Sequence, residues 1–392
     1  VVLSNKDGCV IARSNEAKSL GIPMGAPAFK YKKKFQDNKV EVFSSNFKLY
    51  GDMSNRVMSI LSRFVPDIEI YSIDEAFLKF EGFSENIIDK KCIEIIETVM
   101  KWTGIPVSIG LAETKSLAKV ANRIAKKDFS KTNSFYSINN NRKHIKALKT
   151  INIKDIWGIG SQNEKKLLKI GVKSGFDFIK IPDEWVKKNM SIIGLKLKKE
   201  LEGIPTLDIV KENNNKKSIT TSRSFEAEIS SLDDLIERMT TFAVVASKKL
   251  RTQNSECNMI SVYVRSNPFK ENNDKYHFSL TEALPYSTNS SIEISKFAIK
   301  LLRKIYSKGK SYKKAGIILM GLTPESIHQV SFFEKDTNKH KKLMESIDNI
   351  DNKYGLYKVR LASQDQKRIW KMNRQNLSRN YTTNIEEVLK VS

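Results

Sequence analysis

Histidine and cysteine are scarce in this chain. Its 392 residues include four His and three Cys, and the cysteines, Cys9, Cys92 and Cys257, are odd in number and far apart. That spacing argues against a disulfide framework and against a zinc knuckle. The cysteine content is consistent with a reducing compartment, so we expect a cytoplasmic protein.

Long apolar runs are also missing. No stretch approaches the ~20 residues that cross a bilayer, and no charged-then-apolar signal opens the chain, so we expect no membrane partner. The chain starts Val1-Val2-Leu3, without Met, in a pattern typical of the middle of a strand. We therefore expect the natural N-terminus to lie upstream of Val1.

Acidic residues are few relative to basic ones. The chain has 68 Lys and Arg against 44 Asp and Glu, which leaves a net charge of +24. Such an excess attracts a polyanion and releases counterions on binding, so nucleic acid is the predicted partner. An AT-rich coding sequence would explain the preference for Lys over Arg, but not the excess of bases over acids.

The length predicts roughly two to four domains joined by linkers. Residues 1–48 form a loop-rich unit with a basic stretch at 30–34. Helix and strand periods alternate from 49 to 130, which predicts an α/β layer with a central sheet. Residues 131–210 have a mostly helical pattern. The polar run 211–217 has too few apolar residues to pack and is predicted to be a linker.

A second α/β pattern occupies residues 218–322. The order strand, helix, strand, strand, helix, strand predicts a sheet covered on one face by two helices. From about Thr323 onward the sequence has little periodicity and is interpreted as a tail with local anchors such as Trp370 and Tyr381. The predicted fold class is therefore α/β (α+β), in several domains.

Asp74 and Glu75 lie inside the apolar stretch 71–78. On an uninterrupted strand the two carboxylates would point to opposite faces. They can converge on one cation at a strand end or a hairpin tip, which the flanking strand patterns allow. A cluster of acids at such a tip favours Mg²⁺, which takes hard oxygen ligands and shares them with phosphates. A solvated turn is the alternative for an isolated Asp-Glu pair.

Residues 107–126 predict a buried strand, a short loop and an amphipathic helix. The apolar face of the helix carries Leu117, Val120, Ala121 and Ile124. On or beside the opposite face lie four basic residues, Lys115, Lys119, Arg123 and Lys126. Taken alone, this pattern is equally typical of a helix with a solvated basic side.

Two glycines, Gly158 and Gly160, lie in the segment 156–160, ahead of Lys165. They permit a tight turn before a helix whose first backbone N–H groups could point at a phosphate. This is a helix-hairpin-helix pattern, which binds the DNA backbone without reading bases. The alternative is an ordinary glycine turn between packed helices.

Three long segments together resemble one family. "SIDEAFL", followed by "VSIGLAETKSLAKVANRIAKK", resembles the palm of Y-family DNA polymerases, and "LSNKDGCVIARSNEAKSLGIPMG" resembles the fingers of the UmuC branch. The resemblance implies a right-hand polymerase with fingers (1–48), palm (49–130), helix-hairpin-helix thumb (131–210), little finger (218–322) and C-terminal tail (323–392).

The resemblance also implies roles for particular residues. Asp74 and Glu75 would be two of three carboxylates that hold a pair of Mg²⁺ ions, while Lys126 and Lys18 would contact the triphosphate of the incoming dNTP. The third metal-binding Asp, and the aromatic residue that excludes ribonucleotides, would lie upstream of Val1. We therefore expect that the chain as given cannot assemble the full metal site.

The implied reaction is in-line attack of a primer 3′-hydroxyl on the α-phosphate of a nucleotide. Two metals about 3.5–4 Å apart would activate the attacking oxygen and stabilise the leaving pyrophosphate. Positioning and charge neutralisation dominate such chemistry, so carboxylates and lysines suffice. Few His and Cys residues are then no obstacle.

The resemblance extends to DNA and protein partners. Gly158, Gly160 and Lys165 would contact primer–template DNA from the thumb, and Arg223, Lys310 and Lys313 from the little finger, although such charges are commonly solvated surface. Gln329, Phe332 and Phe333 resemble the peptide by which bacterial polymerases hold the sliding clamp, with an edge strand as the alternative. The tail resembles the UmuC C-terminal region and implies a cleaved UmuD dimer and RecA as partners.

We therefore predict an error-prone translesion DNA polymerase of the SOS and DNA repair response, associated with the bacterial nucleoid. The alternative is a catalytically incomplete relative that binds DNA and the clamp at stalled ends. A helix-hairpin-helix nuclease or glycosylase would leave Asp74, Glu75 and the little-finger pattern unexplained.

Overall fold

A computed structural model describes seven segments of the chain, namely residues 1–127, 132–210, 215–268, 275–327, 338–355, 358–364 and 374–389. They divide into two units. Unit 1 comprises Val1–Asn213 and Asn373–Ser392, and unit 2 comprises Asn214–Met372. The boundary after Asn213 falls within the 211–217 run for which the composition predicts a linker.

The N-terminal module (residues 1–48) has a three-stranded sheet in the order β2-β1-β3. Strand β1 pairs antiparallel with β2 and parallel with β3. Two helices accompany the sheet. One of them, α2, contains the basic stretch at 30–34, where the sequence pattern predicts no helix. The bounds are β1 Val2–Leu3, β2 Val10–Ala12, α1 Asn15–Ser19, α2 Ala28–Asp37 and β3 Phe43–Ser44.

The next part of unit 1 differs from its prediction. Its described strands form two separate pairs, β4 with β5 antiparallel and β6 with β7 parallel, rather than one central sheet. Strand β6 has three residues and pairs with β7 instead of extending the β4–β5 hairpin. The bounds are α3 Phe47–Leu61, β4 Asp67–Ile70, β5 Ala76–Lys79, α4 Glu85–Thr103, β6 Ile109–Leu111, α5 Lys115–Lys127 and β7 Phe135–Ser137.

Helix α5 packs very closely on β6. A Cβ atom at Gly110 would collide with the backbone of Asn122 and Ala118, so only glycine fits there. The amide of Asn122 also donates to the Ser108 carbonyl oxygen at 2.5 Å. These two contacts fix the rotation of α5 and so determine where its basic residues point.

Helices form the rest of unit 1 before the boundary. They share one core with α5, in which Leu117 and Val120 pack with Leu148 and Leu167. The last helix is interrupted at Ser191, whose φ is 65°. The bounds are α6 Asn141–Thr150, α7 Ser161–Lys169, α8 Gly175–Ile179 and α9 Asp183–Leu201.

Unit 2 contains the predicted order of strands and helices. Four antiparallel strands lie in the order β10-β9-β11-β8, and α10 and α11 pack on one face. Val262, Ile317 and Leu301 belong to the core between the sheet and these helices. The bounds are β8 Ile219–Ile229, α10 Leu232–Thr252, β9 Ser255–Arg265, β10 His277–Thr288, α11 Ser291–Ile305 and β11 Tyr312–Pro324.

The region beyond Thr323, where the sequence shows little periodicity, contains a further helix, α12 Asn338–Tyr354. Ion pairs hold much of it on α10. Arg251 Nε lies 2.6 Å from Asp348 Oδ2, and Lys248 Nζ lies 3.2 Å from Asp351 Oδ2. Because these contacts to α10 use charged side chains, the helix has no clear apolar periodicity in the sequence. Within the described segments, no helix is both long and apolar enough to traverse a bilayer.

Candidate active site

Asp74 and Glu75 lie at the tip of the β4–β5 hairpin, as predicted. The last paired residues are Ile70 and Ala76, and the loop between them closes by backbone hydrogen bonds. The N–H groups of Tyr71 and Ser72 each donate to the carbonyl oxygen of Glu75 at 3.0 Å. The two acids therefore leave the strand geometry that would send them to opposite faces.

Both carboxylates are already held by neighbouring side chains. Ser72 Oγ donates to Asp74 Oδ1 at 2.6 Å. Glu75 Oε2 lies 2.9 Å from Lys119 Nζ, with 36% of the Glu75 side chain and 16% of the Lys119 side chain exposed. Asp74 itself is exposed. The tip thus presents one open carboxylate and one that is shared with a partly buried ammonium group.

Lys119 is surrounded by an aromatic cage, which we define as Tyr71, Phe77 and Trp157. Its Nζ lies 4.7 Å, 5.1 Å and 5.8 Å from the three ring centroids, respectively. Cations at these distances are attracted to the ring faces. Tyr71 contacts Trp157 edge-on, and the Trp157 indole N–H donates to the Tyr71 hydroxyl at 3.0 Å. The cage therefore joins the hairpin tip to the 156–160 turn.

The residue pattern marks Lys119 only as part of the basic face of α5 and gives no indication of the cage. Two features of the sequence point to aromatic residues near the acids and the turn: Tyr71 and Phe77 flank Asp74 and Glu75, and Trp157 precedes Gly158. Their proximity is a tertiary contact across 86 residues, which no local pattern encodes.

The basic stripe of α5, which we define as Lys115, Lys119, Arg123 and Lys126, makes contacts with other elements. Lys115 Nζ lies 2.5 Å from Glu69 Oε2, and Arg123 Nη2 lies 2.7 Å from Asp155 Oδ1. With Lys119, three successive positions of the stripe therefore contact carboxylates on other elements. Lys126 is exposed in the last turn. It follows Lys119 by two helical turns, which is about 10 Å along the same face.

The donor set at the tip suits part of a site for a divalent cation. Two adjacent carboxylates supply hard oxygen ligands, and an open side lets phosphate oxygens complete the coordination. In the described part of the chain, no group of three or more His, Cys, Asp or Glu side chains could hold a metal ion. The residues at hand thus fit a site that substrate phosphates or further ligands complete.

Lys18 lies on α1 and is exposed. Its Nζ donates to Asn15 Oδ1 at 3.0 Å. No hydrogen bond or ion pair between described residues joins it to Asp74, Glu75 or Lys126. The proximity of Lys18 to the tip therefore stays a prediction.

The 156–160 segment forms a turn followed by a helix. Gly158 has φ +90°, a conformation that glycine adopts readily, and Gly160 precedes the first residue of α7. Lys165 is exposed on α7, whereas Lys166 Nζ donates to the Asn189 carbonyl oxygen at 3.0 Å. The predicted glycine turn before a helix is thus present, and phosphate binding at this turn stays a prediction.

Arg223 lies on the helix-covered side of the unit 2 sheet. It pairs directly with Ala315, a fully buried residue of the core beneath α10 and α11. The pKa of Lys249 on α10 is lowered mainly by burial, and to a smaller extent by the nearby positive charges of Arg223 and Lys216. The sheet register thus places Arg223 beside α10.

The opposite face of that sheet carries a row of basic side chains that the sequence pattern did not indicate as a set. Lys314 pairs with Arg265, and Arg265 with His277, so the three residues lie side by side on adjacent strands. Arg265 and His277 are exposed, and Lys314 is half-buried. We call Arg265, His277 and Lys314 the open-face row.

Two predicted DNA-binding lysines make contacts within unit 2. Lys310 Nζ lies 4.5 Å from the Tyr276 ring centroid and 5.1 Å from that of Phe278. Lys313 Nζ donates to the Glu226 carbonyl oxygen at 2.9 Å. Gln329, Phe332 and Phe333 lie outside the described residues.

Comparison with known proteins agrees with this architecture. The impB/mucB/samB family matches residues 1–123 and its C-terminal domain matches residues 216–332, while a domain of unknown function matches residues 341–391. A Y-family DNA polymerase chimera has the same fold, with a TM-score of 0.64 and 23% identity over 81% of this chain and 88% of that one.

Two bacterial relatives are similar along their length. Protein UmuC of Salmonella typhimurium is 38% identical over 100% of this chain and 93% of its own. Protein ImpB of Salmonella typhimurium is 34% identical over 99% of this chain and 92% of its own. The chain therefore belongs to the UmuC type of Y-family polymerases, which are DNA-directed DNA polymerases.

Proposed function

We propose that this polymerase copies DNA past damaged bases with low fidelity, as part of the SOS and DNA repair response. Its substrates are primer–template DNA and an incoming dNTP. The observation that carries the proposal is the hairpin tip, where Asp74 and Glu75 project next to the basic stripe of α5. Acids beside a row of cations provide both metal ligands and a counter-charge for a triphosphate.

Family membership implies a divalent metal in general. We assign it as a pair of Mg²⁺ ions, held in part by Asp74 and Glu75. When bound, such ions lower the pKa of the attacking hydroxyl and neutralise the charge that develops on the leaving pyrophosphate. Ser72 orients Asp74 through its hydroxyl, and Lys119 orients Glu75 through its ammonium group.

The cage gives the site rigidity before substrate arrives. Lys119 is held by three rings as well as by Glu75, so its position changes little when the carboxylate exchanges partners. Preorganised groups of this kind reduce the reorganisation that the reaction requires. Lys126, two turns along the same face, contacts the triphosphate, and Lys18 contacts it from the N-terminal module.

DNA contacts come from both units in this proposal. The Gly158 turn, the first N–H groups of α7 and Lys165 bind backbone phosphates. In unit 2 the open-face row is better placed than Arg223 to meet a polyanion, because the helices cover the Arg223 side. Lys310 and Lys313 contribute charge near the same sheet.

Protein partners complete the proposal. Gln329, Phe332 and Phe333 hold the sliding clamp, and the C-terminal region contacts a cleaved UmuD dimer and RecA. The likeness to UmuC supports these assignments. A tether to the clamp raises the local concentration of the enzyme at a primer end without adding a DNA contact.

Primer extension by the full-length protein tests the proposal. We expect Asp74→Ala or Glu75→Ala to lower the extension rate by at least about 100-fold, a loss typical of removing a group that stabilises transition-state charge. Glu81→Ala, which removes an exposed acid just beyond β5, serves as the control and should extend normally. DNA affinity, measured by anisotropy, should stay within about twofold because neither acid lies on a DNA-binding surface. Retained extension in both tip variants would reject the assignment.

A further inference from the structure

Residues 374–389 belong to unit 1 and contact the edge of the sheet of the N-terminal module. Strand β3 lies at the edge of that sheet. The Ser44 N–H donates to the Asn376 carbonyl oxygen at 2.7 Å, and Ser44 and Leu377 form a parallel bridge. One main-chain hydrogen bond thus joins the segment to the sheet edge, which is the type of contact that strand addition uses.

Buried polar side chains reinforce this pairing. Asp7 Oδ2 accepts from the Ser44 hydroxyl at 2.9 Å and from the Gln375 N–H at 3.2 Å. The Asn46 amide donates to the Ser378 carbonyl oxygen at 3.1 Å. Ser44 is fully buried and Asn46 is 3% exposed. Buried polar groups need hydrogen-bond partners, so this surface depends on the segment that covers it.

The same contacts reach the first helix after the N-terminal module. Asn46 Oδ1 accepts from the Leu49 N–H at 3.2 Å and thereby caps α3 while its amide holds the segment. The Arg374 guanidinium lies 5.5 Å from the Phe47 ring centroid. The pKa of Asp52 on α3 is lowered mainly by a hydrogen bond with the Thr382 side chain and also by a hydrogen bond with Arg56. One segment thus contacts both β3 and α3.

We propose that Asp7, Ser44 and Asn46, with the edge of β3, form a peptide-binding site, and that residues 374–389 occupy it as a reversible clasp. The clasp fastens the N-terminal module to α3. It also gives a role to part of the region that matches a domain of unknown function.

The composition of the clasp makes it reversible. Its larger apolar side chains stay exposed, with Ile385 87% and Leu389 64% accessible, so polar contacts dominate the binding. When the segment leaves, these hydrogen bonds are exchanged for hydrogen bonds to water, so each contributes little net free energy. Attachment through the chain supplies the high local concentration that a separate peptide lacks. The chain enters unit 2 after Asn213 and leaves it before Asn373. While the clasp is closed, both crossings are attached to the body of unit 1. When the clasp opens, only the crossing after Asn213 remains attached.

Hydrogen exchange at the Ser44 amide tests the proposal. Asn376→Pro removes an N–H that donates to Ser44 Oγ at 3.1 Å and alters the strand pairing. Val388→Pro is the matched control, because Val388 already has the φ of proline, −62°, and lies beyond the contacts with β3. We expect Ser44 to exchange at least about tenfold faster in Asn376→Pro than in Val388→Pro.

A chain that ends at residue 373 provides the second arm. Its Ser44 amide should exchange rapidly, and a synthetic peptide of residues 374–389, at high concentration, should restore the protection. Protection of the Val10 amide, which donates to the Ala26 carbonyl oxygen in the core of the N-terminal module, reports whether each variant is folded. Equal Ser44 exchange in the two proline variants, or no effect of the peptide on the shortened and folded chain, would overturn the proposal.

Discussion

The basic residues of α5 beside the hairpin tip and those of the open-face row differ in their contacts. At the hairpin, Lys115, Lys119 and Arg123 each contact a carboxylate on another element. In the open-face row, no ion pair between described residues involves Arg265, His277 or Lys314, and the three lie side by side on adjacent strands. Paired cations fix geometry, whereas adjacent like charges repel one another until a polyanion binds. The hairpin cations are thus held in place by carboxylates, whereas we propose that the open-face row attracts a polyanion.

Among variants of the basic residues, the largest effect should follow from removing Lys119, the central cation beside the hairpin tip. We expect Lys119→Met to lower the extension rate about 10–100-fold, because Glu75 and the tip lose the group that fixes their position. The half-saturating Mg²⁺ concentration should fall at the same time, since a competing ammonium is gone from Glu75. Metal-dependent extension kinetics measure both quantities.

Two variants control for this prediction. Arg123→Met removes a cation from the same stripe, but one that contacts Asp155 rather than Glu75, so it should leave the Mg²⁺ requirement unchanged. Lys119→Arg keeps the charge and should recover part of the rate. A Lys119→Met protein whose rate fell while its Mg²⁺ requirement stayed constant would mean that Lys119 supports the fold and does not act on Glu75.

A smaller effect is expected from the open-face row. Arg265→Gln and Lys314→Gln should each lower the slope of log affinity against log salt by about one, because each removes one phosphate contact. Extension at saturating DNA should not change. Fluorescence anisotropy with labelled primer–template over a salt series gives the slopes. Arg223→Gln, on the helix-covered side, is the control, and a larger slope change from it would reverse the assignment of faces.

The smallest effect concerns pH and the clasp. The Asn380 backbone N–H, the Asn384 and Asn380 side chains and the charge of Arg379 lower the pKa of Glu387 from 4.5. A lowered folded-state pKa means that this stabilisation is present above the unfolded value and is lost as the pH falls through the folded one. We expect the clasp to loosen only at a pH below 4.5, as the pH falls through the lowered pKa of Glu387, and Asn380 amide exchange measures this loosening. Glu387→Gln should remove the pH dependence, and an unchanged profile in that variant would contradict the role of Glu387.

Local pattern predicted several elements well. The sequence pattern predicts a strand from Ile219 to Ile229, and β8 has these bounds; the two strands flanking Asp74 and Glu75 also indicated a hairpin tip correctly. The pattern predicts a strand from Tyr276 to Leu280, whereas β10 runs from His277 to Thr288 and includes Pro285, which is tolerated because β10 is an edge strand. Period and turn chemistry are properties of neighbouring residues, so the sequence reveals them.

Tertiary contacts explain what the sequence analysis missed. The cage depends on Trp157 meeting a hairpin loop 86 residues earlier. The side on which Arg223 lies depends on the register with β11, which shifts between Tyr312 and Lys314. The separate strand pairs depend on β6 choosing β7 as its partner. None of these is set by local periodicity.

Binding of Mn²⁺, followed by electron paramagnetic resonance with primer–template and dNTP present, tests the central claim most directly. The claim is that Asp74 and Glu75 hold the catalytic metal. The double variant Asp74→Asn with Glu75→Gln should bind far less Mn²⁺ than the unsubstituted protein, while Glu81→Gln should bind it normally. Equal Mn²⁺ binding by the double variant and the unsubstituted protein would contradict the account.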